Sequence, residues 1–415
     1  MKHTKWPLRI SMIIFMMTQA VVMNGQGLVP TPPMGWNSWN WFGKRHINEQ
    51  VVREVIDAMA AEGLRKAGYE YVVIDGGWRD TVLESNGALR VDRKRFPHGI
   101  KALADYAHAK GFKFGLHTAP GTADCGGDEV GGYGHEEVQV QQFADWGVDF
   151  IKLDQCQFRP GWTDENTKEI YLKWSRLIAH CGRDILLSIH THFKDFPVWY
   201  IGNCQIARTT NDIAARQSVG AYFDTLPKQR RFRSVMANAE RNNRFARYAG
   251  NGYWNNPDML PLGAQGLSVP EQKATFALWC IMSAPLILGN DPRHMTKPEK
   301  EIVRNRRAIA VDQDPTEQGI RIEKKGYAEI WAKHLSDDRV AVLLLNRSPY
   351  DNAQITLDFD RIGLSGRVKV TTVFGGESLG AFHGRFSRSV EPHSGLFLVI
   401  ASDSVGTARS GLAFF

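Results

Sequence analysis

Cysteine is scarce in this chain of 415 residues, with five in all: Cys125, Cys156, Cys181, Cys204 and Cys280. No two share Cys-x-x-Cys spacing, which argues against a zinc site, and no metal is expected. The odd number leaves at least one thiol unpaired, and Cys280, inside the apolar run 276–288, reads as a buried apolar cysteine. No Gly-x-Gly-x-x-Gly opens a helix-like stretch, which argues against a dinucleotide site, and no organic cofactor is expected. Internal repeats and low-complexity tracts are absent. There is no Lys/Arg stripe with interleaved aromatics, so there is no case for nucleic acid. The net charge of +7 includes Lys2, Lys5 and Arg9 of the first segment, and the remainder is ordinary solvated surface. Beyond that first segment no apolar run reaches the roughly 20 residues that a membrane span needs.

What is present begins with that segment. After Lys2, Lys5 and Arg9, residues 10–23 are apolar except for Ser11, Thr18 and Gln19, and Asn24, Gly25 and Gln26 end the run. It reads as a signal peptide over residues 1–26, which implies a secreted or periplasmic protein in which disulfides can form. An uncleaved anchor is the rival reading. The whole chain is 43% hydrophobic and 23% charged, a globular composition.

From about residue 33 to residue 290, short apolar runs alternate with helix-like stretches. Eight runs read as strands: 34–39, 71–75, 112–118, 149–154, 184–190, 206–212, 252–259 and 284–289. Helical stretches at 51–66, 100–110, 136–146 and 166–179 fall between them. Regular alternation implies a parallel sheet, and this many units favours a closed (β/α)8 barrel over residues 27–315. An open doubly wound sheet is the alternative. After about residue 315 the pattern changes to strand-like runs at 329–335, 339–345, 354–359, 367–373 and 395–400, separated by turn residues. These predict a small antiparallel β-sandwich over residues 316–401, with 402–415 as a tail.

Polar residues recur at the C-terminal ends of the barrel strands: Asn37, Asp75, His117, Lys152 with Asp154, His190, Asp212 and Asp258. Barrel active sites are assembled on that face. Each residue alone reads equally as a cap of the following helix; their recurrence over most strands is what points to a site. Lys152 and Asp154 are two apart on a strand and share a face. There a lysine favours the ionised carboxylate, the form a glycosidase nucleophile requires, although a structural ion pair has the same signature. Asp212 stands at another strand end near Arg208. Trp36, Trp39 and Trp41 crowd the first strand end and Trp78 follows Asp75. Their rings can stack on a sugar's C–H face or pack in the core. Asn346-Arg347-Ser348 is a lone glycosylation sequon.

These segments resemble glycoside hydrolase family 27, the α-galactosidase and α-N-acetylgalactosaminidase family. TPPMGWNSW, IDGGW, RFPHGIKAL, FADWGVDFIKLDQC, RTTNDI, WNNPDML, LWCIMSAPLILGND and DQDP follow in family order from about residue 30 to residue 315. The resemblance implies Asp154 as nucleophile and Asp212 as acid/base. It implies that Trp36, Asp75, His117, Lys152, His190, Arg208, Asp258 and Met259 line the sugar subsite, and that Cys125 pairs with Cys156. His117 stands where relatives often have Tyr. Gly76 stands where relatives usually carry a second Asp, so one carboxylate contact on the sugar's O4/O6 side is missing. The segment Ile189, His190, Thr191 and His192 matches neither usual pattern for reading the 2-substituent. Ile189 also occupies the place of Cys204's family partner, which leaves Cys204 unpaired.

The expected activity is therefore that of a retaining exo-glycosidase removing terminal α-D-galactosyl residues from oligo- or polysaccharides. β-L-arabinopyranoside, α-N-acetylgalactosaminide and α-1,6-glucan are alternative substrates for the same mechanism. A non-catalytic carbohydrate-binding protein is the alternative from another class. No stable membrane insertion is expected after signal removal, and a homo-oligomer is compatible with the sequence.

Overall fold

The computed structural model describes residues 27–156, 161–193, 195–213, 228–263 and 266–403. The signal segment and all but the first two residues of the tail lie outside these ranges. Eight short parallel strands form one sheet: β1 (Met34–Asn37), β2 (Tyr71–Ile74), β3 (Lys113–Thr118), β4 (Phe150–Asp154), β5 (Leu186–His190), β6 (Ile206–Arg208), β7 (Trp254–Asn256) and β8 (Leu286–Leu288). Their order is β8-β1-β2-β3-β4-β5-β6-β7. Leu260, just past β7, bridges in parallel to Leu288 of β8 and closes the barrel. Its N–H donates to the Ile287 carbonyl at 2.8 Å.

Alternation along the strands explains why the site forms at one end. Tyr71, Val73, Phe150, Leu186, Ile206 and Trp254 form an apolar cluster inside the barrel. Side chains two apart share a face, so the same inward rows continue to Asp75, to Lys152 and Asp154, to Ser188 and His190, to Arg208, and to Asn256 and Asp258. The outward rows (Val72 and Ile74, Phe114 and Leu116, Ile151 and Leu153, Leu187 and Ile189) join the main core beneath the helices.

The helical layer includes α1 (Glu49–Ala61), α2 (Gly99–Ala109), α3 (Glu136–Asp145), α4 (Asp164–His180), α5 (Lys228–Asn243) and α6 (Val269–Ile281). Side-chain caps start several of these. Asn48 accepts from the Val51 N–H at 3.0 Å, and Ser268 with Glu271 forms a capping box on α6. The repeat is not regular: among the described residues β5 is followed by a single 3-10 turn, Val198–Tyr200. Pro197 precedes that turn and Gly202, at φ 81°, ends it. An antiparallel hairpin not expected from the sequence, Arg79–Leu83 with Leu89–Val91, follows β2.

The C-terminal unit is the expected sandwich, with three more strands than the sequence reading gave. Its strands are β9 (Ile320–Lys325), β10 (Ala328–His334), β11 (Val340–Asn346), β12 (Ala353–Asp358), β13 (Arg367–Thr372), β14 (Ser378–His383), β15 (Arg385–Val390) and β16 (Ser394–Ser402). Six form one sheet in the order β9-β10-β11-β16-β13-β14, and β12 pairs with β15 in the other. Alternate residues Ile330, Val342, Leu344, Ile355, Leu357, Val368, Val370 and Leu398 fill the space between them. The sequon residue Asn346 is fully buried, and its Nδ2 donates to the carbonyls of Asp351 and Val390 at 2.8 and 2.9 Å. It is a structural residue here, with no exposed amide to glycosylate.

Helix α6 joins the two units. Residues Ala274 through Ile281 are all buried, because one side of the helix meets the barrel and β16 packs on the other. Burying Phe276 and Leu278 there contributes roughly 2 kcal/mol each. Lys333 of β10 pins the joint. Its Nζ donates to Ser283 Oγ and the Val311 carbonyl at 2.6 Å and to the Asp314 carbonyl at 2.8 Å. Burial lowers its pKa to about 8, against the opposing pull of Asp312 and Asp314. The unfolded chain holds that proton up to the ordinary lysine range, so it binds more protons than the folded chain above pH 8, and stability rises with pH across that window. Between pH 8 and 10.5 the wild type should gain about 3 kcal/mol relative to Lys333→Met. Chemical unfolding of both proteins at a series of pH values checks this.

Candidate active site

The C-terminal strand ends enclose a cavity of about 250 Å³. It lies just below the roughly 300–1,000 Å³ usual for small-molecule sites, a size suited to one sugar ring. Lys152 is its centre of charge. The Nζ lies 2.8 Å from Asp75 Oδ2 and 3.4 Å from Asp154 Oδ2. Asn37 Nδ2 donates to the same Asp75 oxygen at 2.9 Å, and the Asp75 N–H donates to Ser38 Oγ at 2.9 Å. Burial works against ionisation of Asp75, but the charges of Lys152 and His117 outweigh it and bring its pKa down to about 2. Burial likewise opposes the Lys152 charge, and the two carboxylates reverse the effect and raise its pKa above the ordinary lysine value.

Asp154 ends β4 and is buried at the cavity floor. Its Oδ1 lies 2.8 Å from His190 Nδ1, and its Oδ2 lies 3.6 Å from His117 Nε2. The His190 approach is close but off the hydrogen-bond axis, so both atoms are buried without an aligned partner. Burial again disfavours the charge, and His190, Lys152 and His117 together overcome it, holding the Asp154 carboxyl well below the usual carboxylate range. His190 is paired in register with Asp154 across β4 and β5, which explains the proximity. The disulfide Cys125–Cys156, with Cα atoms 4.5 Å apart, ties the loop after β3 to the residues just past Asp154. Cys181, Cys204 and Cys280 are free, and the last two are buried.

Asp212 is different. Its side chain is 58% exposed at the rim, four residues beyond the end of β6, and Arg208 Nη2 donates to its Oδ1 at 2.5 Å. The other guanidinium nitrogen of Arg208 reaches Asp258 Oδ1 at 2.9 Å. Burial disfavours the charge on Asp212, but Arg208 prevails and lowers its pKa; Asp258, more deeply buried and facing the Asp212 charge, is raised. Asp258 sits at φ 100°, a backbone strain for a non-glycine residue. It is held there by Asn256 Oδ1, which accepts its N–H at 2.9 Å, and by Trp279 Nε1, which donates to its carbonyl at 3.0 Å. His117, Asp154 and Cys156 approach as metal ligands would. The Cys156 sulfur is bonded to Cys125, so a cation would find only an imidazole and a carboxylate.

An α-galactosidase A family profile matches residues 31–314, and an α-galactosidase C-terminal β-sandwich profile matches residues 325–400. The chain is 40% identical over 370 residues to an α-galactosidase of Oryza sativa subsp. japonica, covering 88% of this chain and 84% of the rice protein. The chain belongs to the α-galactosidase family. Among solved members, α-galactosidase I of Mortierella vinacea superposes with a TM-score of 0.80 at 28% identity, covering 92% of this chain and all of the other. A family 27 β-L-arabinopyranosidase of Geobacillus stearothermophilus has the same fold at TM-score 0.80 and 23% identity, covering 93% of this chain and all of that one.

Within this α-galactosidase fold, Asp75, His117, Lys152, Asp154, His190, Arg208, Asp212, Asp258 and Met259 all line the one cavity. Trp36 does not. β1 carries it on the outward row beside Met34, its side chain is fully buried, and its Nε1 donates to the Asn290 carbonyl at 2.7 Å. The indole at the cavity is that of Trp39, in the turn after β1. Trp78 is also core: it packs edge-on against Phe143 and Trp146, and its Nε1 donates to the His117 carbonyl. His192 and Asp124 line the cavity as well. Asp124 gave no sequence signal, because it stands in a loop without periodicity. Lys152→Met should raise the Asp75 pKa from about 2 toward the ordinary aspartate value, since burial would then act unopposed by the ammonium. Carboxyl-carbon NMR titration reads this, and an unmoved Asp75 would refute the central role given to Lys152.

Proposed function

We propose that the chain is a retaining, exo-acting α-galactosidase that removes terminal α-D-galactosyl residues from oligo- or polysaccharides by double displacement. The observation that carries this reading is the contrast between two carboxylates on one monosaccharide-sized cavity. Asp154 is buried and held ionised by Lys152, His117 and His190. Asp212 is exposed at the rim, where a leaving group departs. Asp154 suits the nucleophile: it attacks the anomeric carbon and forms a glycosyl-enzyme as the glycosidic bond breaks. Asp212 suits the acid that protonates the leaving oxygen and then the base that takes a proton from the incoming water. Asp75 and Lys152 suit hydrogen bonding to the sugar's hydroxyls.

Arg208 keeps Asp212 ionised in the free site, whereas proton donation requires the neutral acid. The same guanidinium already reaches Asp258. On this reading, a sugar that draws Arg208 toward Asp258 releases Asp212 to take up its proton. We also propose export by the N-terminal segment, a reading supported by the Cys125–Cys156 bond, since disulfides persist in oxidising compartments.

Asp154→Ala should lower turnover of an aryl α-D-galactoside by several orders of magnitude with the circular dichroism spectrum unchanged; near-normal turnover would sink the assignment. Asp212→Ala should lose less on p-nitrophenyl α-D-galactoside than on raffinose, because a good leaving group needs little protonation. Arg208 lowers the Asp212 pKa, so Arg208→Met should leave the acid protonated to higher pH. The alkaline limb of kcat/KM should therefore move upward even as its maximum falls. A limb that stays in place would separate Arg208 from the acid.

A further inference from the structure

The sugar-facing wall between β2 and β3 holds a feature that the double-displacement chemistry does not use. A side-chain carbon placed on Gly76 would lie 3.5 Å from the Trp39 ring, 3.7 Å from Glu129 Oε2 and 3.9 Å from Asp124 Oδ2. These are ordinary contact distances, so the wall has room for one carbon beside Gly76, with two carboxylates beyond it.

The two carboxylates are not equivalent. Glu129 is committed to structure: its Oε1 accepts the Gly77 N–H at 2.8 Å, and its Oε2 pairs with buried Arg79 at 3.2 Å. Asp124 lines the cavity. Its Oδ2 accepts from Lys44 Nζ at 2.5 Å, while its Oδ1 has only two long backbone contacts of 3.3 Å. Lys44 is shared with Asp128, which is mostly exposed. Asp124 also precedes Cys125, whose bond to Cys156 fixes its loop against the strand end that carries Asp154.

Orientation follows from the chemistry. With the anomeric carbon at Asp154 and the leaving group toward Asp212 on the β6 side, the wall on the β2 and β3 side meets the ring edge far from the scissile bond. In a hexopyranose that edge carries the exocyclic CH2OH. We propose that Asp124, with Lys44 as its charge partner, is the specificity-determining residue that receives this hydroxymethyl group across the space beside Gly76, selecting a hexopyranoside over the corresponding pentopyranoside. The inference rests on the galactosidase reading and adds the residue that sets its sugar class. The methylene takes the space beside Gly76, and its hydroxyl donates to the Asp124 carboxylate, a charge-assisted hydrogen bond.

The test compares kcat/KM for p-nitrophenyl α-D-galactopyranoside and p-nitrophenyl β-L-arabinopyranoside, which has the same ring hydroxyls without the CH2OH. Asp124→Ala should lower the galactoside-to-arabinopyranoside ratio about tenfold or more, the worth of one hydrogen bond to a charged group. Gly76→Ala, whose methyl fits at ordinary contact distances and fills the same space, should lower that ratio too and serves if Asp124→Ala fails to fold. A ratio within twofold of wild type in either folded variant overturns the inference, whatever the absolute losses, and leaves the galactosidase reading standing. A wild type that prefers the arabinopyranoside also overturns it. A wild type that cleaves neither substrate overturns the galactosidase reading and this inference with it.

Discussion

A single ammonium, Lys152, sits between Asp75 and Asp154 at the mouth of the barrel, and the rest of the site is arranged around it. Taking three charges out of water costs several kcal/mol for each ion unless every one is paired and hydrogen-bonded. Here Asn37 and Lys152 share one oxygen of Asp75, and His117 and His190 close on Asp154. The net effect is to fix the protonation states: both carboxylates are held charged and the lysine is held protonated. That fixed state leaves Asp154 a permanently charged carboxylate at the cavity floor. Removing one member would leave an unpaired charge in a region of low dielectric, so the constraint binds all of them together.

The inward rows show how the chain tolerates such a cluster. Five of the strands begin with an apolar inward residue (Tyr71, Phe150, Leu186, Ile206 and Trp254) and become polar or ionisable only toward their C-terminal ends. The lower half of the barrel is an ordinary packed core, and the charged half opens to the cavity. The strain at Asp258, with φ at 100°, is borne where Trp279 of α6 grips its carbonyl. Helix α6 is in turn clamped by the sandwich. The second unit therefore stiffens, through one helix, the backbone that presents Asp258 to Arg208.

The two-residue period of a strand also makes the site legible in the sequence. Lys152 and Asp154 share a face because they are two apart, and all eight strands lie where the apolar runs do. The same parity takes Trp36 out of the subsite: Asn37 is the inward residue of β1, so its neighbour points to the helices. Three tryptophans stand within six positions at the first strand end, and composition alone does not say which one turns inward. β9, β14 and β15 escaped notice because their residues are largely exposed or charged, as in RFSRSV, where only Phe386 and Val390 are buried. The pairing of Asp124 with Lys44 spans 80 residues. No local pattern encodes a contact of that separation between two loops.

The two ends of the cavity place opposite demands on charge. At the β2 and β3 side, Asp75, Lys152, Asp124 and Lys44 pair locally, and nothing there has to change protonation during a reaction cycle. At the β6 side, Arg208 faces two carboxylates at once, Asp212 at 2.5 Å and Asp258 at 2.9 Å. Such a trio titrates as a unit, so the proton belongs to the group rather than to either acid. Burial and the strained backbone fix Asp258 in place, whereas Asp212 is exposed and lies beyond the end of its strand. A shift of the guanidinium changes the proton affinity of both acids. A site built this way keeps the charge of Asp154 fixed and leaves proton exchange to the Arg208 trio, whose Asp212 is open to solvent.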